Sequence, residues 1–313
     1  MSAREGPGGG PREGDEPAGP REGDEAAAGG GGPREGDEAT AGGGGPREGD
    51  EATAGGGGPL AGRGAIVTGV SRRAGIGYAV VRRLRELGAD VFVQGFVAHD
   101  AGQPWGADPA GVAALADELG AVAHVECDFA DPAAPAGCVS AAVAALGHVD
   151  VLVANHAMSC DQDLEQLQAG AIDATLAVNV RATLLLVQAF AAHHYDARPG
   201  GRVILFTSGQ HLEPMARELP YAASKGALHG VTASLAAHLA PRGILVNALN
   251  PGPTDTGWAT PELTRHELRR LPLGRWGGPE DAARLVGWLA TDDAAWVTGQ
   301  VLTSDGGFSL SRG

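Results

Sequence analysis

Gly64-Ala65-Ile66-Val67-Thr68-Gly69-Val70-Ser71-Arg72-Arg73-Ala74-Gly75-Ile76-Gly77 is the stretch that decides the fold. Gly64–Thr68 is short and apolar and reads as a buried strand. Ile76–Leu87 is amphipathic and stops at Gly88, so it reads as a helix with a glycine end. The glycines between them permit a tight turn. They also let an anion approach the helix N-terminus, where unpaired N–H groups and the helix dipole favour negative charge.

The same alternation runs to the end of the chain. Strands are expected at Asp90–Gln94, Ala121–Cys127, Val149–Val153, Arg202–Thr207, Ile244–Leu249 and Gln300–Thr303. Helices are expected at Pro109–Leu119, Ala133–Leu146, Ile172–His194, Tyr221–Ala240 and Pro279–Ala290. Continuous apolar strands alternating with helices imply a parallel sheet covered on both faces. The expectation is a single-domain, doubly wound α/β Rossmann fold with seven strands over residues 60–313. Such sheets bind ligands at the carboxyl ends of their strands, at the switch point.

Residues 1–59 read differently. Pro-Arg-Glu-Gly-Asp-Glu recurs from Pro11, Pro20, Pro33 and Pro46, and the segment holds 21 of the 51 glycines with no aromatic residue, Ile, Val or Leu. It lacks the apolar surface to offset chain entropy and is expected to be a disordered tail. It has no apolar stretch behind a basic start, so it does not read as a signal peptide. The whole chain is acidic, with a net charge of −15. That argues against nucleic acid or an anionic membrane as the general partner. No run reads as a transmembrane helix. Cys127, Cys138 and Cys160 show neither metal spacing nor a paired framework, so no metal is expected and a reducing, cytoplasmic setting is.

The chemistry concentrates around one residue. The chain has 22 arginines and a single lysine, Lys225, four residues after Tyr221 in Tyr221-Ala222-Ala223-Ser224-Lys225. Residues at i and i+4 share a helix face. The pair therefore sets a phenol beside an ammonium, which is expected to lower the phenol's pKa. At the end of the second strand, where a carboxylate would grip a ribose 2′-hydroxyl, stands Gln94-Gly95-Phe96, and the next acid is Asp100. Arg72 and Arg73 in the glycine loop are suited to a 2′-phosphate. The expected cofactor is therefore NADPH rather than NADH, with one of these arginines on the phosphate.

These residues resemble the short-chain dehydrogenase/reductase family over nearly all of the chain after residue 60. The Tyr-x-x-x-Lys pattern falls on Tyr221 and Lys225, with Ser208 thirteen residues before the tyrosine and Asn179 on the long central helix. Asp128, Pro251-Gly252-Pro253-Thr254-Asp255-Thr256, Arg275-Trp276-Gly277-Gly278-Pro279-Glu280-Asp281, Thr298-Gly299-Gln300 and Asp305-Gly306-Gly307 follow the family's order. The resemblance implies a catalytic set of Ser208, Tyr221, Lys225 and Asn179. Tyr221 would be the acid–base group and Ser208 the bond to the substrate oxygen. Lys225 would hold the nicotinamide ribose, and Asn179 would anchor a relay water. It further implies cofactor contacts from Gly69, Ser71, Arg72, Arg73, Gly75, Ile76, Gly77, Asp128, Phe129, Asn155, Tyr221, Lys225, Pro251, Gly252 and Thr254. Dimers or tetramers are implied, built on Ile172–His194 and Tyr221–Ala240.

The implied activity is reversible reduction of a ketone to a secondary alcohol by NAD(P)H, as in carbonyl or 3-oxoacyl-thioester reductases. The glycine loop is two residues longer than the family's usual one, a spacing similar to divergent enoyl-acyl-carrier reductases. Those place Tyr and Lys further apart than the four residues here. Ala154-Asn155-His156-Ala157 replaces the usual Asn-Asn-Ala-Gly, keeping Asn155; His156 reads as a loop histidine packed beside the cofactor site rather than a substrate contact. An enoyl-thioester reductase and a non-catalytic NADP-binding sensor or scaffold remain the alternatives.

Overall fold

The computed structural model describes residues 57–198 and 200–311. The disorder expected of the repeat tail falls almost wholly outside them. Leu60 is the first buried side chain, and its N–H donates to Leu87 O at 2.8 Å.

Seven parallel strands form one sheet: β1 Gly64–Val67, β2 Asp90–Gly95, β3 Ala123–Glu126, β4 Val151–Ala154, β5 Gly201–Phe206, β6 Ile244–Asn250 and β7 Val301–Thr303. Their spatial order is β3-β2-β1-β4-β5-β6-β7. The order reverses between β1 and β4, which sets the ligand crevice at their carboxyl ends. Each strand feeds both faces, as its two-residue period requires. Val67, Val93, Val153, Ile204 and Phe206 pack into one core with α1 (Ile76–Glu86) and a late helix, Pro279–Ala290. Ile66, Phe92, Leu152, Val203 and Leu205 pack into the other with Ala134–Leu146 and Ala182–His193.

In chain order the remaining helices are α2 Val97–Ala101, α3 Gly111–Glu118, α4 Ala134–Leu146, α5 Ala169–Leu176, α6 Ala182–His193, α7 Leu219–Leu239, α8 Pro261–Leu268 and α9 Pro279–Ala290. Two of these, α2 and α8, were not legible in the sequence. The long central helix starts at Ala169 rather than Ile172 and is interrupted by a π-helical turn, Ala177–Arg181, between α5 and α6. α7 starts two residues before Tyr221 because Pro220 is tolerated in a first turn, where its missing N–H has no partner to lose. The run Ala169–His193 has the length and composition of a membrane span, a test that a buried core helix passes equally well. In this fold it buries Leu186, Val187 and Phe190 in the core and carries Asn179 to the crevice.

Candidate active site

β5 and α7 bring the chemistry together. Ser208 follows β5, and its hydroxyl lies near enough to the Tyr221 hydroxyl on α7 to favour the phenolate. Lys225, one turn further along, places Nζ 5.5 Å from the centroid of the Tyr221 ring. Its ammonium is 2% exposed and donates to Phe206 O at 2.9 Å. Among the described residues no carboxylate pairs with it, and desolvation lowers the Lys225 pKa to about 8.

The phenol departs from expectation. Tyr221 is half-buried, and loss of water around its hydroxyl, followed by the nearby Glu218 carboxylate, pushes its pKa up to about 12. The nearby Ser208 hydroxyl pulls the other way and is outweighed. The expected lowering by Lys225 does not arise: the shift is set by burial, with Ser208 and Glu218 as the neighbouring influences. In this state Tyr221 is a protonated acid across the physiological range.

Asn179 sits in the π turn, fully buried. Its Nδ2 donates to Met158 O at 3.0 Å and Ser224 Oγ at 2.9 Å, and its Oδ1 accepts from Met158 N at 2.7 Å. Ser224 Oγ in turn donates to Tyr221 O at 2.7 Å. The side chain thus ties the β4 loop to α7 beneath Tyr221, and its amide is spent on that.

At the far side of the crevice the glycine loop has the shape of a cradle. Gly69 has φ +73°, and a Cβ there would lie 2.8 Å from His156 Cα; one on Gly77 would strike Gly69 O. α1 begins at Ile76 behind Gly75, with no side chain capping it. Asn155 clamps the loop, Nδ2 donating to Thr68 O and Gly69 O at 3.1 Å each. Gln94 accepts from Gly69 N at 3.1 Å and donates to Cys127 O at 2.9 Å, knitting the ends of β1, β2 and β3. A close-packed glycine turn leading into an uncapped helix start fits a dinucleotide pyrophosphate.

His156 is buried, with Nδ1 2.8 Å from Thr68 Oγ1 and Nε2 3.1 Å from Val178 O. Desolvation, then the Lys225 charge, lowers its pKa to about 3. It is a neutral packing residue, its ring edge-on to Phe129 at 4.6 Å between centroids. Asp128 is exposed and accepts from Ala130 N, closing the turn after β3. After β6, Gly252 has φ +62° and presses on Asp305, while Thr254, 5% exposed, donates to Pro251 O at 3.1 Å.

The two loop arginines are engaged elsewhere. Arg72 Nε pairs with Asp100 at 3.2 Å and its NH1 donates to Thr256 O at 3.0 Å. Arg73 is held at 2.6 Å by both Asp108 and Glu118. Neither pairing was visible in the sequence. Gln94, Thr68 and Asp100 were also missed as organising residues. Gln94 alone gave a signal, by standing where a carboxylate was sought.

Residues 69–309 match the family model described as enoyl-(acyl carrier protein) reductase. The uncharacterized oxidoreductase YjdA of Bacillus subtilis is 46% identical over 164 residues, covering 52% of this chain and 65% of that protein. An uncharacterized oxidoreductase of Methylorubrum extorquens is 36% identical over 235 residues, covering 73% and 91%. A short-chain dehydrogenase from Burkholderia cenocepacia, solved in complex with NADP, superposes with a TM-score of 0.70 at 37% identity, covering 80% of this chain and 99% of that one. With the glycine cradle, the reversed strand order and Ser208, Tyr221 and Lys225 gathered at the carboxyl end of β5, these matches make the chain a member of the short-chain dehydrogenase/reductase family.

Proposed function

We propose that the protein is an NADP(H)-dependent oxidoreductase that interconverts a ketone and a secondary alcohol. The observation that carries this reading is a buried Lys225 whose Nζ lies 5.5 Å from the centroid of the Tyr221 ring, with Ser208 close by and the glycine cradle across the crevice. Nicotinamide, when bound, supplies or accepts the hydride. Gly69, Gly75, Ile76 and Gly77 bind the pyrophosphate. Asp128 and Phe129 border the adenine side, and Asn155, Pro251, Gly252 and Thr254 shape the nicotinamide side.

Ser208 orients the carbonyl oxygen. Tyr221 gives that oxygen a proton as the carbonyl carbon is reduced, so C=O becomes CH–OH. A positioned acid of this kind is worth about 10²–10⁴-fold. Lys225, a rotating ammonium rather than a rigid fork, holds the ribose and restores the proton. Asn179 fixes the floor on which Tyr221 and Lys225 sit. NADPH is favoured over NADH because no carboxylate ends β2 and a solved relative carries NADP. The substrate is a small carbonyl compound, and the enzyme is a homo-oligomer.

The test is a spectrophotometric panel of ketones, β-ketothioesters and quinones with NADPH and NADH. Tyr221→Phe is expected to lower turnover at least a hundredfold with cofactor binding retained; near-normal turnover refutes the mechanism. The matching family description and the lengthened glycine loop support a second reading, enoyl-thioester reduction. An α,β-unsaturated thioester offered beside the β-ketothioester separates the two. Tight NADPH binding with no substrate in the panel would favour the sensor reading.

A further inference from the structure

Ser71 and Arg72 of the lengthened glycine loop share a tertiary partner. Asp100, on α2, is 7% exposed. Its carboxylate accepts from Ser71 Oγ, accepts from Trp105 Nε1 at 2.9 Å and pairs with Arg72 Nε at 3.2 Å. The Arg72 guanidinium lies 5.4 Å from the centre of the Trp105 ring, within cation–π range. A buried carboxylate with three donors is a settled scaffold rather than a stray surface charge.

The location gives this scaffold meaning. Val70 N donates to Gln94 O at 2.9 Å, and a Cβ on Gly95 would lie 2.6 Å from Val70 O, so the loop runs against the carboxyl end of β2. In a doubly wound fold that is where the adenosine ribose, with or without its 2′-phosphate, is read. Ser71 and Arg72 are the loop's hydroxyl and guanidinium at this point, and Asp100 takes both. Arg73 does not compensate, because it is shared between Asp108 and Glu118. These ion pairs set three carboxylates against two guanidiniums. A phosphate monoester brings about −1.5 to −2 more.

We propose that Asp100 sets the nucleotide choice, by holding Ser71 and Arg72 away from a 2′-phosphate and so limiting the preference for NADPH over NADH. The proposal rests on the nicotinamide-enzyme reading. Asp100 acts through Arg72 and is a positioning residue.

The test is equilibrium binding to the full chain, without substrate, of NADPH, NADH, 2′,5′-ADP and 5′-AMP, by titration calorimetry. Wild-type protein is expected to favour 2′,5′-ADP over 5′-AMP by less than tenfold. Asp100→Asn keeps the shape and removes the charge. It is expected to raise the NADPH-to-NADH affinity ratio at least tenfold, through tighter NADPH. In an Arg72→Ala background the same substitution is expected to move the ratio less than twofold. A hundredfold wild-type preference for 2′,5′-ADP overturns the proposal, and that measurement needs no variant. An unchanged ratio in Asp100→Asn, or a gain that survives loss of Arg72, overturns it as well. Failure of wild-type protein to bind any of the four would defeat the nicotinamide reading itself, whereas binding with an unmoved ratio defeats only the role of Asp100.

Discussion

Replacing Lys225 with Met should destroy activity and make the cofactor-free protein more stable. The ammonium is 2% exposed, has no carboxylate partner among the described residues, and its pKa falls from 10.5 to about 8 through desolvation. At 1.36 kcal/mol per unit, the buried charge costs about 3 kcal/mol. Met has a similar length and no charge to desolvate. It forfeits the hydrogen bond to Phe206 O, and a stranded carbonyl costs about 1–2 kcal/mol. The net gain at pH 7 is about 1–2 kcal/mol, or roughly 3–6 °C in melting temperature for a domain of this size.

The pH dependence makes the argument specific. Between pH 8 and 10.5 the unfolded chain keeps a proton on Lys225 that the folded chain has released, so wild-type stability rises with pH in that window. Lys225→Met lacks the group and does not share the rise. Its advantage should shrink from pH 8 upward, vanish between about pH 9 and 10, and reverse by pH 10.5, where only the lost bond to Phe206 O remains. Thermal unfolding of both proteins by near-ultraviolet circular dichroism, from pH 7 to 10.5 without cofactor, reads this directly. A variant that melts below wild type at pH 7, or a gap that stays constant across the window, refutes the reasoning.

Other substitutions probe the neighbouring groups. Glu218→Gln removes a carboxylate that helps hold the Tyr221 pKa up, so the phenolate forms at lower pH. The alkaline rise of alcohol oxidation should move to lower pH in a pH–rate profile; no movement means Glu218 does not act on the phenol. Asn179→Ala removes the partner of the half-buried Met158 N–H and C=O and of the buried Ser224 hydroxyl. It should cost about 3 kcal/mol, lowering the melting temperature by on the order of 10 °C, and a differential scanning calorimetry shift under 2 °C would contradict that.

The sheet was legible because most strands are short apolar runs between glycine stops, and the candidate site because Ser208, Tyr221 and Lys225 keep a fixed spacing after β5 and along α7. What stayed hidden depends on three-dimensional proximity. Arg72 and Arg73 looked free because Asp100, Asp108 and Glu118 lie well along the chain, and only folding brings the carboxylates to the loop. The phenol's pKa was misjudged in direction because local spacing shows the ammonium but not the burial. α2 is a single five-residue turn, too short for hydrophobic periodicity to reveal. The π turn has no compositional mark, since Ala177-Val178-Asn179-Val180-Arg181 would suit an ordinary helix equally well.

That π turn gears two parts of the molecule together. A π bulge holds one more residue than an α-helical turn, and each helical residue advances the phase by about 100°. Deleting any one residue between Ala177 and Arg181 would restore a continuous helix and rotate α6 against α5 by that angle. Leu186 and Phe190 would swing off the sheet, or Asn179 would swing out of the crevice; no rigid rotation keeps both. The chain therefore tolerates exchange of side chains here far better than a change in their number, and a one-residue indel in this segment is expected to be lethal to folding and catalysis at once.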